Sequence, residues 1–173
     1  MNLRGMSAAA LTLPLVAQSP AATSLEALRG VVQDFYYWYP RIASLEQKGP
    51  AFAVALKRKG HLFSPELAQA LKDDADAKDR AQGEAAGIDW DPFLNGQPPE
   101  KRYEIGAIHQ IENQYFVYVH GLDSGQRRSR PVAVAVLTRA KGQWVFVDFL
   151  SAEGRSLAAA LKSLRANRQL ARQ

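Results

Sequence analysis

The fold is decided between residues 132 and 149, where the chain reads Val132-Ala133-Val134-Ala135-Val136-Leu137, then Ala140-Lys141-Gly142-Gln143, then Trp144-Val145-Phe146-Val147-Asp148-Phe149. The two apolar runs are rich in β-branched and aromatic residues, which are typical of strands. Between them, Gly142 supplies the positive φ that a tight hairpin turn requires. The stretch therefore predicts two antiparallel strands joined by a short turn.

Two more strands are predicted upstream of this hairpin. Residues Tyr103 to Ile111 alternate loosely, and Asn113 offers a turn into the apolar and aromatic run from Tyr115 to His120. Consecutive strands with short turns pair in antiparallel order. The second half of the chain thus predicts a curved antiparallel β-meander.

Helices flank the predicted meander on both sides. Ser24 is the predicted cap of a first helix, which Pro40 ends or kinks because its ring interrupts the hydrogen-bond ladder. A second helix starts at Ser64-Pro65-Glu66 and is predicted to dissolve into the polar, mobile run from Asp73 to Gly87. A last helix covers Leu157 to Leu170. The pattern predicts one α+β domain over residues 25–170, with N-terminal helices packed on the meander and a C-terminal helix.

Residues 1–21 have the pattern of a signal peptide. Arg4 precedes an apolar run from Met6 to Ala17, and small residues follow at Ser19 and Ala21. We expect cleavage after Ala21, with cleavage after Ser24 as the next choice. The apolar run is shorter than the ~20 residues that span a bilayer, so no membrane anchor is predicted. The expected location is the periplasm, as a soluble protein.

Composition excludes several chemistries. The chain has no cysteine, which excludes disulfides, thiolate metal sites, a cysteine nucleophile and lipidation at an N-terminal cysteine. Loss of Arg4 with the signal peptide leaves 21 basic residues against 17 acidic ones. This mild excess gives no argument for a nucleic-acid partner. The oligomeric state stays open.

The segment from Asp89 to Gln97 joins the helical half to the strand half. Its two acids, Asp89 and Asp91, can be interpreted as calcium ligands or as an acid/base couple. Calcium loops have a denser alternation of oxygen donors, which is absent here. The favoured interpretation is structural: Asp91 forms an Asx-turn before Pro92, and the rings of Trp90 and Phe93 plug the end of the core.

Three patches resemble, in order and spacing, a bacterial exported family designated domain of unknown function 3828. They are Asp34-Phe35-Tyr36-Tyr37-Trp38-Tyr39, Leu62-Phe63-Ser64-Pro65-Glu66-Leu67 and Asp91-Pro92-Phe93-Leu94-Asn95-Gly96-Gln97. The resemblance covers roughly residues 25–161. It implies a periplasmic or lipoprotein domain with the cone-shaped fold of nuclear transport factor two, and it implies no established reaction. This chain lacks the cysteine of the lipoprotein members, so their anchoring is not carried over.

The sequence contains no coherent catalytic set. It has no glycine-rich phosphate loop, no Gly-x-Ser-x-Gly elbow and no His-Glu-x-x-His helix. His109 and His120 lie on adjacent predicted strands without a third ligand, so no metal and no cofactor is predicted. The alternative is a cavity enzyme, a hydrolase or isomerase, in which Asp148 orients one of these histidines as an acid/base pair.

The leading hypothesis is therefore a binding module without catalysis. We expect it to accept a small ligand or a protein partner in the cell envelope. An immunity-type protein that inhibits an exported toxin is one version of this role. The arginines at 127, 128 and 130, with those of the last helix, can form a basic patch or a solvated face. The candidate binding residues are Tyr37, Trp38, Asp89, Asp91, Asn95 and Gln97.

Overall fold

The computed structural model describes residues 20–45, 49–81, 87–96 and 98–170. Most of the predicted signal peptide, residues 1–19, lies outside these ranges. The helices are α1 (Pro20–Ala43), α2 (Ala51–Lys59), α3 (Pro65–Arg80) and α4 (Leu157–Leu170), with a 3-10 turn over Gly60–Leu62. The strands are β1 (Tyr103–Ile111), β2 (Gln114–Asp123), β3 (Gln126–Arg127), β4 (Ala133–Ala140) and β5 (Gln143–Leu150).

The strands form one antiparallel sheet in the order β1-β2-β4-β5, and the short β3 pairs with the end of β2. The hairpin expected from residues 132–149 is present, since Ala140 pairs with Gln143 across the turn. Lys141 and Gly142 in that turn have φ of 51° and 82°. Two positive values in a two-residue loop match the right-handed twist of the strands. The predicted α+β arrangement is confirmed.

An aromatic core holds the helices against the sheet. Phe35 of α1 is fully buried, and its ring contacts rings from the segments that meet there. These partners are Tyr36, Trp38, Tyr39, Phe63, Phe93, Phe146 and Phe149. Aromatic side chains bury large apolar areas, and edge and tilted contacts add to that burial. The apolar residues of α1, which recur at helical spacing, therefore lie on one face of the helix, and that face packs into the core.

The edge of β1 is tied to α1 at a bulge. The pairing of β1 with β2 shifts between Ile105 and Ile108. Arg29 of α1 donates to the Ile105 carbonyl at 2.6 Å and to the Gly106 carbonyl at 3.2 Å. A bulge bends its strand and leaves backbone groups unpaired. The long side chain of Arg29 supplies a hydrogen-bond donor to carbonyl groups at this bulge.

The helix α1 differs from the prediction at both ends. It begins at Pro20, before the predicted cap at Ser24, so that cap is wrong. Of the two outcomes predicted at Pro40, an end of the helix is wrong, since α1 continues to Ala43. A proline removes one intrahelical bond, here to the carbonyl of Tyr36. The last turn still closes, because the Ser44 N–H donates to the Pro40 carbonyl at 3.0 Å. The buried aromatic face that precedes the proline, with Phe35, Tyr36 and Tyr39, outweighs the lost bond.

The helix that was predicted to start at Ser64, α3 in the structure, also extends beyond its predicted end. It was expected to dissolve at Asp73, yet α3 continues to Arg80. The reason is Asp74, which is 1% exposed and accepts from the Ile88 N–H at 2.9 Å and from Arg168 at 2.8 Å. A buried carboxylate is tolerated only when it is paired in this way. The partners lie far along the chain, so composition alone predicts loop where helix forms.

Candidate functional site

The loop before β1 is closed by Asp91. Its Oδ1 accepts from the N–H groups of Phe93 and Leu94, each at 3.0 Å, and the Gly96 N–H donates to its carbonyl at 2.9 Å. This is the Asx-turn expected from the sequence. Asn95, with φ of 52°, and Gly96, with φ of 69°, complete the reversal of the chain.

Tyrosines of α1 attach this loop to the core. The Tyr39 hydroxyl donates to Asp91 Oδ2 at 2.6 Å, and the Tyr36 hydroxyl donates to the Phe93 carbonyl at 2.8 Å. Burial raises the pKa of Asp91 above its ordinary value of 3.8, although the hydrogen bonds it accepts lower that pKa. Burial, and next the Asp91 charge, raise the pKa of the Tyr39 hydroxyl. The phenol therefore keeps its proton and serves as the donor.

Phe93 and Trp90 have opposite surroundings. Phe93 is 0% exposed and lies among the rings of the core, as predicted. Trp90 is 39% exposed, so the prediction that it plugs the core is wrong. The cause is the turn at Asp91, which directs the chain after it inward and leaves the residue before it at the surface. A partly exposed indole on a pinned loop is available to a ligand.

The indole borders a cavity of about 320 Å³, which we call the Trp90 cleft. Its apolar side is formed by Pro92, Phe149, Leu157 and Ala160, and its polar side by Asn95, Ser151, Arg155 and Ser156. Three segments meet there: the Asp91 loop, the end of β5 and the first turn of α4. The cleft combines an apolar floor with a few polar groups, as ligand pockets do.

The polar side of the cleft is held by hydrogen bonds around Ser151. Its Oγ accepts from the N–H groups of Glu153 and Arg155, each at 3.2 Å, and donates to Glu153 Oε2 at 2.9 Å. The Arg155 side chain is 80% exposed and lies 3.5 Å from the same carboxylate. An exposed ion pair of this kind is weak, so its guanidinium can turn to a ligand at little cost.

A second cavity adjoins the first one through Asn95. It measures about 530 Å³ and is bordered by Arg128, Arg130, Asp123 and Glu153 among other residues. Positively and negatively charged side chains both line this cavity. Arg128 forms an ion pair with Glu100 at 2.6 Å. This cavity extends the candidate site, and its lining is more polar than that of the Trp90 cleft.

The predicted binding residues fall into separate places. Asn95 lines the Trp90 cleft, whereas Asp91 is used within its own loop and Asp89 is exposed. Tyr37 of α1 is 64% exposed and lies in a different cavity. Trp38 packs against the core cluster, and Lys59 lies over its ring at 5.3 Å. Gln97 lies outside the described residues.

The histidines and Asp148 are not brought together. Asp148 Oδ1 accepts from the Ala158 N–H at 2.8 Å and its Oδ2 accepts from the Ser156 hydroxyl at 2.6 Å, so this carboxylate caps α4. His120 Nδ1 instead contacts the Arg128 carbonyl at 2.9 Å. His109 pairs with Phe116, four residues from His120 along β2, so the two histidines occupy backbone positions roughly 13 Å apart along the strand direction.

The described residues contain no group of three His, Asp or Glu side chains that could hold a metal ion. Sequence reasoning missed Arg155 and Ser151 as site residues, since Arg155 was counted with the last helix. The available signal was their position directly after a predicted strand, where functional loops concentrate.

Comparison of the chain with known protein families, curated proteins and solved structures finds no match. The resemblance noted in the sequence therefore stays a prediction. None of the helices within the described ranges is long and apolar enough to cross a membrane.

Proposed function

We propose that this protein is an exported binding module without catalysis. We further propose that the Trp90 cleft binds a small ligand by contact with the indole ring of Trp90. The observation that supports the site is Trp90 itself, an indole exposed over an apolar floor on a loop fixed by buried hydrogen bonds. Such an exposed aromatic ring contributes little to the core, so its contact surface is free for recognition.

The lining of the cleft favours a ligand with one apolar face and polar edges. Phe149 and Leu157 form the floor, where a charge would be costly to bury. Asn95 and Arg155 at the rim offer an amide and a guanidinium as donors. The volume of about 320 Å³ lies at the lower end of ligand pockets and suits one or two sugar rings. A neutral amino-sugar unit of the cell envelope has these properties.

The proposed export rests on the N-terminal sequence and agrees with the position of the core. The first buried residue described in α1 is Leu28, beyond both expected cleavage positions, after Ala21 and after Ser24. Cleavage at either position would keep the packed face of α1. Membership of the exported family, with its cone-shaped fold, is part of the same proposal and agrees with the helices-and-meander arrangement.

Fractionation tests the export. The full-length chain is expressed in a Gram-negative bacterium, and the protein released from the periplasm is sequenced from its N-terminus. We expect a soluble product that begins at Ala22. A product with intact Met1, or protein found only in the cytoplasm, would contradict the proposal.

Titration with a defined sugar tests the cleft. The probe is the disaccharide of N-acetylglucosamine, followed by backbone amide shifts in NMR spectra. We expect shifts at Asn95, Arg155 and the first turn of α4, and their loss in Trp90→Ala. Tyr37→Ala, which removes an exposed ring from another cavity, is the matched control and should bind normally. If no shift occurs, or if Trp90→Ala binds as well as the wild type, the assignment of this ligand class is wrong.

A further inference from the structure

A further cavity, separate from the two described above, has a volume of about 540 Å³ and lies between α1 and the segment that leads into β1. We call it the Tyr37 cleft. Its mouth carries Tyr37 and Arg41 of α1 with Lys101 and Arg102 of the segment opposite, and its base includes the buried ring of Tyr36. The two clefts share no lining residue, so the Tyr37 cleft can bind a ligand independently.

The cations of this cleft are not neutralised by the described residues. Arg41, Lys101 and Arg102 are exposed, and none of them has a carboxylate within ion-pair distance in those parts of the chain. The one acid that lines the cleft, Glu100, is bound to Arg128 at 2.6 Å. Three cations around one cavity concentrate positive potential there, more than the modest net charge of the protein suggests.

The exposed ring of Tyr37 is the second feature of the cleft. Of the five consecutive aromatic residues on α1, Phe35 to Tyr39, Tyr37 is the one that does not pack into or against the core, at 64% exposure. The Arg41 guanidinium lies 4.2 Å from the centre of its ring. This cation–π contact holds the guanidinium beside the ring, where its N–H groups can serve as donors to a ligand. The pair presents a flat surface with a fixed donor beside it.

We propose that the Tyr37 cleft binds a carboxylated sugar chain of the cell envelope, an acidic polysaccharide. The sugar ring lies against the phenol of Tyr37, while Arg41, Lys101 and Arg102 bind the carboxylates by charge-assisted hydrogen bonds. A single-stranded nucleic acid also combines negative charge with flat rings. It requires several stacking platforms in succession, and this cleft presents one exposed ring.

Binding of a tetramer of galacturonic acid, measured by calorimetry at low and moderate salt, tests this inference. We expect measurable binding that weakens as salt increases, while a neutral glucose tetramer binds at least tenfold more weakly. The double variant Lys101→Gln with Arg102→Gln and the single variants Arg41→Gln and Tyr37→Leu should each lose at least fivefold in affinity. All four side chains are exposed, so circular dichroism should show a folded protein.

The controls distinguish binding at the Tyr37 cleft from nonspecific attraction to the positive charge of the protein. Lys57→Gln with Lys162→Gln removes the same charge from exposed positions on α2 and α4 and should change affinity less than twofold. Trp90→Ala should also leave this binding unchanged, which distinguishes the inference from the proposal for the Trp90 cleft. Equal losses in both double variants, or no binding of the acidic tetramer, would overturn it. Tighter binding of a single-stranded oligonucleotide through the same residues would overturn the assigned partner class.

Discussion

At the scale of single residues, the loop before β1 divides its side chains between the core and the surface. Phe93 packs against Phe35, Tyr39, Phe63 and Phe149, whereas Trp90 is partly exposed and lines the cleft. Both are aromatic residues of one short loop, yet their energetic roles differ. Stability measurements can separate the two roles.

Replacing each ring by alanine should give unequal losses in stability. Phe93→Ala leaves a cavity among packed rings and should lower the free energy of unfolding by about 3–5 kcal/mol. Trp90→Ala leaves no cavity in the core and should lower it by about 1 kcal/mol. Urea denaturation followed by far-ultraviolet circular dichroism avoids the change in tryptophan fluorescence. Equal losses would show that the indole is part of the core.

The buried carboxyl of Asp91 should make stability depend on pH. Its pKa in the folded protein is raised above 3.8 by burial, so the folded state holds this proton more tightly than the unfolded chain does. Stability from this group is therefore highest below pH 3.8 and is lost as pH rises through the raised pKa. Asp91→Asn cannot ionise, so the stability of this variant relative to wild type should increase with pH over that interval.

The measurement is urea denaturation of both proteins at a series of pH values from 3 to 7. The difference between them isolates Asp91 from the other carboxyl groups. Asp79→Asn, on the exposed end of α3, removes a carboxyl from the surface and is the matched control. If the Asp91→Asn difference does not increase with pH, the carboxyl of Asp91 is not held at a raised pKa.

The sequence predicted the turn at Asp91 and the burial of Phe93 because both depend on neighbours within a few residues. It did not predict the exposure of Trp90, since the direction of that side chain depends on where the turn places it relative to α4. Arg155 and Ser151 join the site for the same reason. Contacts between distant segments determine which residues line the cleft. The spacing of residues within a short stretch of sequence does not predict such contacts.

At the scale of elements, α4 begins on a cap supplied by another element. Asp148 of β5 accepts from the Ala158 N–H and from the Ser156 hydroxyl, while Ser156 Oγ accepts from the Ala159 N–H at 3.0 Å. A carboxylate near a helix N-terminus is favoured by the helix dipole as well. This pair connects the end of the sheet to the helix that borders the Trp90 cleft.

Removing the cap should cost about 1–2 kcal/mol for Asp148→Ala and about 1 kcal/mol for Ser156→Ala. Because the two side chains bind each other, the double variant should lose less than the sum of the single ones. Asp148→Asn keeps an oxygen acceptor for the backbone and should lose least. Urea denaturation gives all four values. Additive losses would contradict a shared cap.

The same elements show what the sequence could foresee. The bounds of β1 and β5 follow directly from their apolar runs, and α4 follows from its leucine spacing. The end of α3 was not predicted, and at Pro40 the sequence left open whether α1 ends or continues with a kink. In both cases tertiary contacts outweigh a local signal: the buried Asp74 pair stabilises a polar helix, and ring packing stabilises a helix that contains proline.

At the scale of the whole molecule, the core joins segments that are far apart in the chain. Phe35 comes from α1, Phe63 follows the 3-10 turn, Phe93 lies in the loop and Phe146 in β5. The rings of Phe35 and Phe63 each contact the other three rings. The two clefts border this core, but the side chains proposed to bind are exposed: Trp90 and Arg155 in one cleft, Tyr37 and Arg41 in the other. Substitutions in either cleft can therefore change binding without unfolding the protein.

The position of this core also predicts how much of the N-terminus the fold requires. Deletion of residues 1–21 removes the expected signal peptide and retains α1 from Ala22 onward. The described buried contacts of α1 begin at Leu28, and Leu25 is largely exposed. We therefore expect the free energy of unfolding to change by less than about 0.5 kcal/mol, as for changes remote from the core.

Leu28→Ala in the shortened chain is the matched control, because it removes the first core side chain of α1 and should cost about 2–5 kcal/mol. Urea denaturation of the full-length chain, the shortened chain and this variant provides the comparison. A large loss on deletion alone would mean that residues 1–21 support the folded domain. The mature protein would then have to retain them, and the expected cleavage after Ala21 would be wrong.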